Sequence, residues 1–357
     1  MKCVYCYYSA AFTGEQEKDE KTKFKQGDIG KLKKWTQQAI KLGVKEVVVS
    51  GGEPLTHPLV FEYLRFLDKM NITYILFTNG TLVKRNIGQI KSLKSLSEIR
   101  MSLDGLKAQE NLRGKGTTKF VIEALRMLSA ANVKVGINTI LTKENVNELD
   151  SLYNLFKEPE LSVDKWRIDV PLPGGRARDV YQSLMPEWTD IKNAYKNLIL
   201  KYYEERPQFG IRILNVFDSI WLDTNFMASA SVNRFSLDDH PCSYYFGSIT
   251  MEFDGSVKWC PSLPLIFGNL NHDKLAFILD KKNTSINKFL SLKISDIKEC
   301  INCRYLSLCG GGCRTYSFLT ANSLLAKDIV SCELMSFIDE VVLPLIPALK
   351  KACYESN

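Results

Sequence analysis

The sequence contains no apolar stretch long enough to cross a membrane. The longest apolar segment of its C-terminal part, residues 341–349, is interrupted by Pro344 and Pro347 and falls short of the roughly 20 apolar residues that a spanning helix needs. Residues 1–18 also lack the apolar run behind a basic stretch that marks a secretory signal peptide. We therefore expect a cytoplasmic protein with no membrane partner.

A large charge imbalance is absent as well. The net charge is +7 over 357 residues, and the Lys and Arg residues are scattered among acidic ones. Short basic runs such as residues 31–34 are typical of a solvated helix face, whereas nucleic-acid-binding proteins gather their basic residues into a patch or stripe. We therefore expect no nucleic-acid partner, and the 45% hydrophobic content indicates a globular protein with a large core.

Between residues 30 and 205 the sequence alternates between strand-like and helix-like segments. Apolar, β-branched runs predict strands at residues 44–50, 72–78, 98–103, 133–141 and 165–172. Helical periodicity predicts helices at residues 29–42, 58–70, 85–93, 117–131, 145–157 and 187–205. This alternation is typical of a parallel sheet or barrel with covered faces, in which the chemistry lies in the loops at the carboxyl ends of the strands.

Nine of the ten cysteines fall into two groups. Cys3 and Cys6 open the chain, and seven more lie in its last third: Cys242, Cys260, Cys300, Cys303, Cys309, Cys313 and Cys332. Dense thiols form disulfides or bind soft metals, and the missing export signal favours metal binding in a reducing compartment. CxxC pairs suit zinc as well as iron–sulfur clusters, but seven thiolates divide poorly among four-coordinate zinc ions.

The opening cysteines and the motif GGEP at residues 51–54 resemble those of the radical SAM enzymes. That family carries a CxxxCxxC loop with an aromatic residue before its last cysteine, as Tyr5 stands before Cys6 here. The resemblance implies a [4Fe–4S] cluster held by three thiolates, with one iron left to bind S-adenosylmethionine (SAM). It implies a cofactor site made of Tyr5, Gly51, Gly52, Glu53, Pro54, Ser102, Arg113, Asn138 and Leu172.

The same resemblance gives these residues separate roles. GGEP would contact the methionine amino group, Ser102 and Arg113 would hold the cofactor carboxylate, Leu172 would pack near the adenine, and Asn138 would face the same end of the barrel. The first cysteine of the family motif would precede Met1, so it is missing, together with the strand before it. We therefore expect the chain to be a truncated form of a longer protein; the alternative is a true two-cysteine site.

The late cysteines resemble the SPASM extension of radical SAM enzymes. Its pattern, Cx9–15Gx4C followed by Cx2Cx5Cx3C and one distant cysteine, is matched between residues 242 and 332. The resemblance implies two auxiliary [4Fe–4S] clusters. The outer cluster would be held by Cys300, Cys303, Cys309 and Cys332, and the inner cluster by Cys242, Cys260 and Cys313.

The inner cluster would have only three thiolates, because Ser236 stands where some relatives have an eighth cysteine. Its open position could bind substrate or be filled by Asp238, Asp239 or His240. Pro261 stands where anaerobic sulfatase-maturating enzymes carry a catalytic aspartate, which argues against that activity.

Two smaller features have a less defined role. The motif GGRAR at residues 174–178 could bind a carboxylate through its arginines or cap the segment that follows it. His57 is expected to be a loop residue near the cofactor.

The expected fold is α/β: a partial (β/α)6 radical SAM barrel without its first strand, followed by a small irregular α+β SPASM domain. The predicted division is a radical SAM core at 1–209, a connector at 210–240, the SPASM domain at 241–340 and a tail at 341–357. The resemblance implies an enzyme that generates a 5′-deoxyadenosyl radical to modify a ribosomal peptide or protein by a thioether or carbon–carbon crosslink or a related oxidation. A flavodoxin, ferredoxin or reductase would supply electrons. The alternatives are a radical SAM enzyme of haem or tetrapyrrole side chains and a non-catalytic iron–sulfur electron-transfer partner.

Overall fold

A seven-stranded sheet organises the N-terminal part of the chain. The computed structural model describes residues 3–7, 28–229, 235–242 and 247–354. The sheet has the strand order of the chain: β1 (Glu46–Val49), β2 (Thr73–Thr78), β3 (Leu96–Ser102), β4 (Val135–Ile140), β5 (Lys165–Asp169), β6 (Gly210–Ile213) and β7 (Phe217–Asp218). Strands β1 to β6 are parallel, and β7 returns antiparallel to β6.

Helices cover one face of this sheet. They are α1 (Ile29–Lys41), α2 (Val60–Lys69), α3 (Val83–Lys91), α4 (Ala108–Arg113), α5 (Thr117–Ala130), α6 (Leu149–Phe156), α7 (Ala177–Leu184) and α8 (Trp188–Glu205). Alternate strand residues such as Ile99, Val135 and Trp166 are fully buried in one core with helix residues such as Leu125 and Leu152. A period of two in the strands and of 3.6 in the helices brings these apolar side chains together.

The opposite face of the sheet carries charged side chains. Glu98 on β3 accepts hydrogen bonds of 2.9 Å from Arg100 and of 2.9 Å from Arg167, two strands away. In the strand register, Glu98 lies opposite Ile75 of β2, and Ile75 lies opposite Val48 of the edge strand β1. Val48 is 51% exposed. This face is therefore charged on β3 and β5, buried at Ile75 of β2 and exposed at the edge strand β1.

The predicted strands and helices are present with ends shifted by a few residues, and the α/β fold is confirmed. The sheet also continues beyond residue 209 into the segment expected to be a connector. Ile211 and Ile213 are buried in the main core, and β6 pairs with β5, so residues 210–218 extend the sheet. Strands β6 and β7 are too short to produce a recognisable pattern of apolar residues in the sequence. The domain boundaries stay a prediction.

The C-terminal part has short elements. Strands β8 (Thr250–Met251), β9 (Ser256–Lys258) and β10 (Ile266–Asn269) form an antiparallel sheet. The helices are α9 (Thr224–Ser229), α10 (Leu275–Ile278), α11 (Thr284–Leu290), α12 (Leu306–Cys309), α13 (Arg314–Ala321), α14 (Ile329–Phe337), α15 (Leu343–Leu345) and α16 (Pro347–Tyr354). A π-helical turn spans Ile338–Val342, and 3-10 turns lie at Ser219–Leu222, Ile294–Asp296 and Lys298–Cys300. One more 3-10 turn, Pro54–Thr56, lies in the N-terminal part between β1 and α2.

The two parts of the chain share their cores. Trp35 and Ala39 of α1 lie in a second core with Val257 of β9, whereas Leu334 of α14 and Val342 lie in the main core. The segment expected to be a tail therefore contributes to the main core. Within the described ranges, none of the helices combines the length and the apolar character needed to cross a membrane.

Candidate active site and cysteine sites

The sequence motifs meet at the carboxyl ends of the parallel strands. Gly51 follows β1, Asn79 follows β2, Ser102 ends β3 and Asn138 lies opposite Ser102 on β4. Parallel strands place their carboxyl ends at the same edge, which is where open α/β sheets bind ligands. The structure therefore brings together residues that are up to 87 positions apart in the sequence.

Glu53 fixes the shape of the GGEP loop. Its carboxylate accepts hydrogen bonds from the Leu55 backbone N–H (3.0 Å), the Thr78 hydroxyl (2.8 Å) and the Asn79 backbone N–H (2.6 Å). Burial raises the pKa of Glu53, and these three donors oppose the rise. Gly51 adopts a φ of 148°, which favours glycine. The loop is thus tied to the end of β2 through a side chain, and the role of its residues in binding SAM stays a prediction.

The Cys3–Cys6 segment is held against this edge from two sides. The Val4 backbone N–H donates to the Leu112 carbonyl (3.0 Å), and the Arg176 backbone N–H donates to the Cys6 carbonyl (3.0 Å). A side chain at Gly175, whose φ is 57°, would clash with the Cys6 carbonyl oxygen. The glycines of the GGRAR motif therefore allow close approach of the cysteine segment, and the motif leads into α7.

Asp104 is the buried anchor of the same segment. It is 0% exposed and accepts hydrogen bonds from the Tyr5 hydroxyl, from Arg113 Nε (2.5 Å) and from the Ile140 backbone N–H (2.9 Å). Arg113 Nη1 lies 3.9 Å from Cys3 Sγ. Burial raises the pKa of Cys3, and the Arg113 charge opposes that rise. Arg113, which was expected to hold the cofactor carboxylate, is thus paired with Asp104. The sequence did not indicate this partner, and the role of Arg113 in binding SAM stays a prediction.

Asn138 offers an unused polar group at this edge. Its Oδ1 atom is buried and has no hydrogen-bond partner in the part of the chain that the structure describes. A buried amide without a partner is costly unless a ligand or water satisfies it. This vacant amide fits the bound polar cofactor expected here. Leu172 is partly buried against the main core, close to the end of β5.

Asp169, at the end of β5, is a candidate functional residue that the sequence reading missed. Its carboxylate accepts a hydrogen bond from the Val170 backbone N–H (2.8 Å), its only side-chain partner among the described residues. Burial raises the pKa of Asp169 from 3.8 to about 7, so this carboxyl can exchange a proton near neutral pH. The available signal in the sequence was an acidic residue between Ile168 and Val170, at the end of a strand in which polar and apolar residues alternate.

We predict that Asp169→Asn raises stability above pH 7. Because the folded protein binds the Asp169 proton more tightly than the unfolded chain, wild-type stability falls as pH rises from about 4 to about 7. A difference of about three pKa units corresponds to about 4 kcal/mol at most. Urea unfolding should be measured between pH 5 and pH 8.5. The unfolding free energy of the variant, relative to that of the wild type, should increase as the pH rises. A difference in unfolding free energy between variant and wild type that stays constant over this pH range would contradict the assignment.

Four late cysteines line one cavity. Cys300, Cys303, Cys309 and Cys332 come from a 3-10 turn, the following loop, α12 and α14, and they surround a cavity of about 200 Å³. The cysteines at all nine predicted positions are free thiols, which excludes disulfides among them in this structure. Burial raises the pKa of Cys309 to about 12, with Asp328 and Cys332 adding to the rise. A bound metal group would replace that proton, because thiolates rather than thiols are metal ligands.

The spacing of these side chains does not form a compact single-ion site. Among the described residues, no three His, Cys, Asp or Glu side chains lie close enough to hold one metal ion. Thiolates that share one zinc ion at about 2.3 Å must lie about 4 Å apart. Four cysteines around a cavity instead fit a larger group such as a four-iron cluster. The assignment of individual cysteines to clusters stays a prediction.

Cys260, one of the three cysteines predicted to form the inner group with Cys242 and Cys313, lies near the opening cysteine segment. Tyr7, the residue after Cys6, is hydrogen-bonded to Ser262; burial raises its pKa to about 12, and Cys260 adds to the rise. Tyr7 thus connects the predicted SAM-cluster segment with the inner site.

The three side chains considered as a fourth ligand have other partners. Asp238 pairs with Lys293 (2.8 Å), and Asp239 accepts hydrogen bonds from the Ser236 backbone (2.7 Å) and hydroxyl (2.9 Å). His240 Nε2 lies 2.9 Å from the Phe289 carbonyl oxygen. An open inner position, available to substrate, therefore remains the simpler prediction. His57, expected as a loop residue, stacks on Phe253 of the C-terminal part with ring centroids 6.3 Å apart.

The chain is similar in sequence and fold to several known proteins. Residues 1–156 match the family model of the Radical SAM superfamily. The chain is 23% identical over 347 residues to an AdoMet-dependent heme synthase of Methanosarcina barkeri, covering 92% of this chain and 91% of that protein. It is 24% identical over 335 residues to a cysteine-type anaerobic sulfatase-maturating enzyme of Clostridium novyi, covering 88% and 84% of the two chains. A solved structure of native anSMEcpe with bound AdoMet and Kp18Cys peptide gives a TM-score of 0.72 at 21% identity, covering 99% of this chain and 95% of that one.

The fold and the matching region define a radical SAM domain. Residues 1–156 form a radical SAM domain, and the chain is similar over most of its length to peptide maturases and to haem synthases. The cofactors of that family are [4Fe–4S] clusters and SAM.

Proposed function

We propose that this enzyme modifies a peptide or protein substrate and carries two auxiliary iron–sulfur clusters of the SPASM type. The observation that carries the proposal is the meeting of Cys300, Cys303, Cys309 and Cys332 around one cavity. Two of these cysteines lie 32 positions apart in the sequence and share no secondary-structure element, so local folding does not bring them together.

The residues at the carboxyl ends of the strands would hold the cofactors. When bound, the cluster and SAM supply an electron and a carbon radical that abstracts hydrogen from the substrate. Cys3 and Cys6 would be ligands, the GGEP backbone and Asn138 would bind SAM, and Asp104 with Arg113 would keep the cysteine segment in place. Asp169 is positioned at the same edge to exchange a proton with the substrate.

The substrate would lie between this edge and the inner cysteine group. Tyr7 lies near both Cys6 and Cys260, so a substrate modified at the first site is close to the second. The solved structure with the Kp18Cys peptide shares the fold, which supports a peptide substrate. Electrons would come from a flavodoxin, a ferredoxin or a reductase.

Anaerobic reconstitution tests the proposal. We expect about eight irons per chain from two four-iron auxiliary clusters and about twelve if Cys3 and Cys6 also hold a cluster. Iron and sulfide analysis should be combined with detection of 5′-deoxyadenosine after reduction in the presence of SAM. About eight irons with no SAM cleavage, also in a form extended at its N-terminus, would favour the electron-transfer alternative. Fewer than about four irons would contradict the auxiliary clusters.

A second candidate is modification of a tetrapyrrole side chain. It is favoured by the 23% identity with the heme synthase, which extends over 92% of this chain. Iron coproporphyrin is a suitable probe, because binding shifts its Soret band. Saturable binding together with porphyrin-dependent 5′-deoxyadenosine formation would support this candidate. Formation of 5′-deoxyadenosine that depends on a peptide encoded beside the gene, and not on the porphyrin, would support a peptide-modifying enzyme.

A further inference from the structure

Arg314 is a buried cation at the start of α13, directly after Cys313. It is 1% exposed, and its Nη1 atom donates to the Leu324 carbonyl (2.7 Å) and the Ala326 carbonyl (2.8 Å). Its Nη2 atom donates to the Gly311 carbonyl. These carbonyl acceptors fix the orientation of the guanidinium group but carry no net charge to balance it.

Among the described residues, this guanidinium lacks an acceptor for one of its donors and lacks an ion pair. Its Nε atom is buried without a hydrogen-bond acceptor, and it forms no ion pair within 4.0 Å. The carboxylate of Asp328, an acid that is also buried, already accepts hydrogen bonds from Val330 N (3.0 Å), Cys313 N (2.8 Å) and the Ser331 hydroxyl (2.6 Å). A buried cation with an unused donor is costly unless an anionic acceptor approaches it.

The cysteine groups can supply that acceptor. Arg314 directly follows Cys313, and Gly311, to which its Nη2 donates, lines the cavity of the outer group. Cys313 belongs to the predicted inner group, so Arg314 is joined to the inner group through the chain and to the outer group through Gly311. A four-iron cluster held by thiolates is an anion with sulfur acceptors.

We propose that Arg314 is the counter-charge of the auxiliary clusters, with its Nε–H donating a hydrogen bond to a sulfur of the cluster held by Cys300, Cys303, Cys309 and Cys332. The proposal depends on the auxiliary clusters of the proposed function. Reduction adds negative charge to a cluster, and both a nearby cation and a hydrogen bond to sulfur stabilise the reduced form. Arg314 therefore raises the reduction potential of the outer cluster, which favours uptake of an electron from the substrate side.

The test is a redox titration followed by electron paramagnetic resonance. The chain carrying Cys3→Ala and Cys6→Ala should retain only the auxiliary clusters, and Arg314→Met or Arg314→Lys is introduced into this variant. At the wild-type midpoint potential, Arg314→Met should lower the ratio of reduced to oxidised outer cluster at least tenfold, which is 59 mV for a one-electron couple. Arg314→Lys keeps the charge and should shift the ratio less.

Arg304→Met is the matched control. Arg304 lies in the same module, but its side chain is 72% exposed and pairs with Asp339 on the surface. The same loss of charge there should leave the ratio unchanged. An Arg314→Met protein with full iron content and an unchanged ratio would overturn the proposal.

A second measurement avoids any change to Arg314. If Arg314→Met fails to retain iron, the Cys3→Ala, Cys6→Ala chain labelled with ¹⁵N-arginine should show a nitrogen coupling to the reduced auxiliary cluster in spin-echo spectra, and adding Arg304→Met should keep it. Absence of that coupling would overturn the proposal while leaving the auxiliary clusters intact. Absence of auxiliary iron in the wild type would instead overturn the proposed function, and this inference with it.

Discussion

An Asp104→Asn variant is expected to lose about 3–5 kcal/mol of unfolding free energy, the usual cost of breaking a buried ion pair. Asp104 is fully buried and binds the Tyr5 hydroxyl, Arg113 and the Ile140 backbone N–H. The amide leaves the Arg113 guanidinium, which is 9% exposed, without its counter-ion. The Cys3–Cys6 segment should then detach, so iron bound by Cys3 and Cys6 should be lost as well. Chemical denaturation and iron analysis measure the two effects.

A double variant identifies the cause of that loss. If the unpaired Arg113 charge is responsible, Arg113→Met added to Asp104→Asn should cost little more, because coupled residues are not additive. The exposed Asp273→Asn serves as the control and should stay within about 0.5 kcal/mol of wild type. An Asp104→Asn protein as stable as this control would contradict the anchoring role.

The second large effect is expected from Cys309→Ala. Cys309 is one of four thiols around the cavity of about 200 Å³, so its loss should remove about four irons per chain. Because metal binding also contributes folding energy, the variant should unfold at a lower denaturant concentration. Iron and sulfide analysis after anaerobic reconstitution is the measurement, and Cys353→Ala, outside the motif in the sequence, is the control.

Combining cysteine variants tests the division into two sites. Cys300→Ala added to Cys309→Ala should remove no further iron, because both thiols would serve one cluster. Cys313→Ala added to Cys309→Ala should remove about four more, because Cys313 would serve the inner cluster. Equal losses from both pairs would show that the cysteines are not divided as proposed.

Much of the fold could be predicted because strands and helices have different periods of apolar residues. The five predicted strands in residues 44–172 and their helices are present, and the parallel order places the loops that follow them at one edge. Strands β6 and β7 could not be predicted, since four and two residues are too few to establish a period. An amphipathic helix also does not reveal its partner, and only packing showed that α1 joins the second core.

The site was predictable where it depends on residue type and spacing, and not where it depends on contacts. The sequence indicated Tyr5 and Arg113 as cofactor neighbours, but their shared contact with Asp104 joins residues 99 positions apart. Gly175 carried no sign that Cys6 approaches it. Arg314 likewise follows a cysteine motif in the sequence, and only the structure shows that it is buried and that its Nε atom has no hydrogen-bond partner among the described residues.

The sequence alone determined which chemical groups this protein can offer: thiols at metal-binding spacings, a glycine-rich turn after a strand, and an α/β order of elements. These follow from local spacing and periodicity, which are visible in the sequence without knowledge of the fold. The tertiary structure decided which of these groups meet. Four cysteines surround one cavity, and Asp104, Asp169 and Arg314 acquire their properties through burial. The physical reason is that the energy of a charge depends on its distance from water and from other charges, and folding sets both.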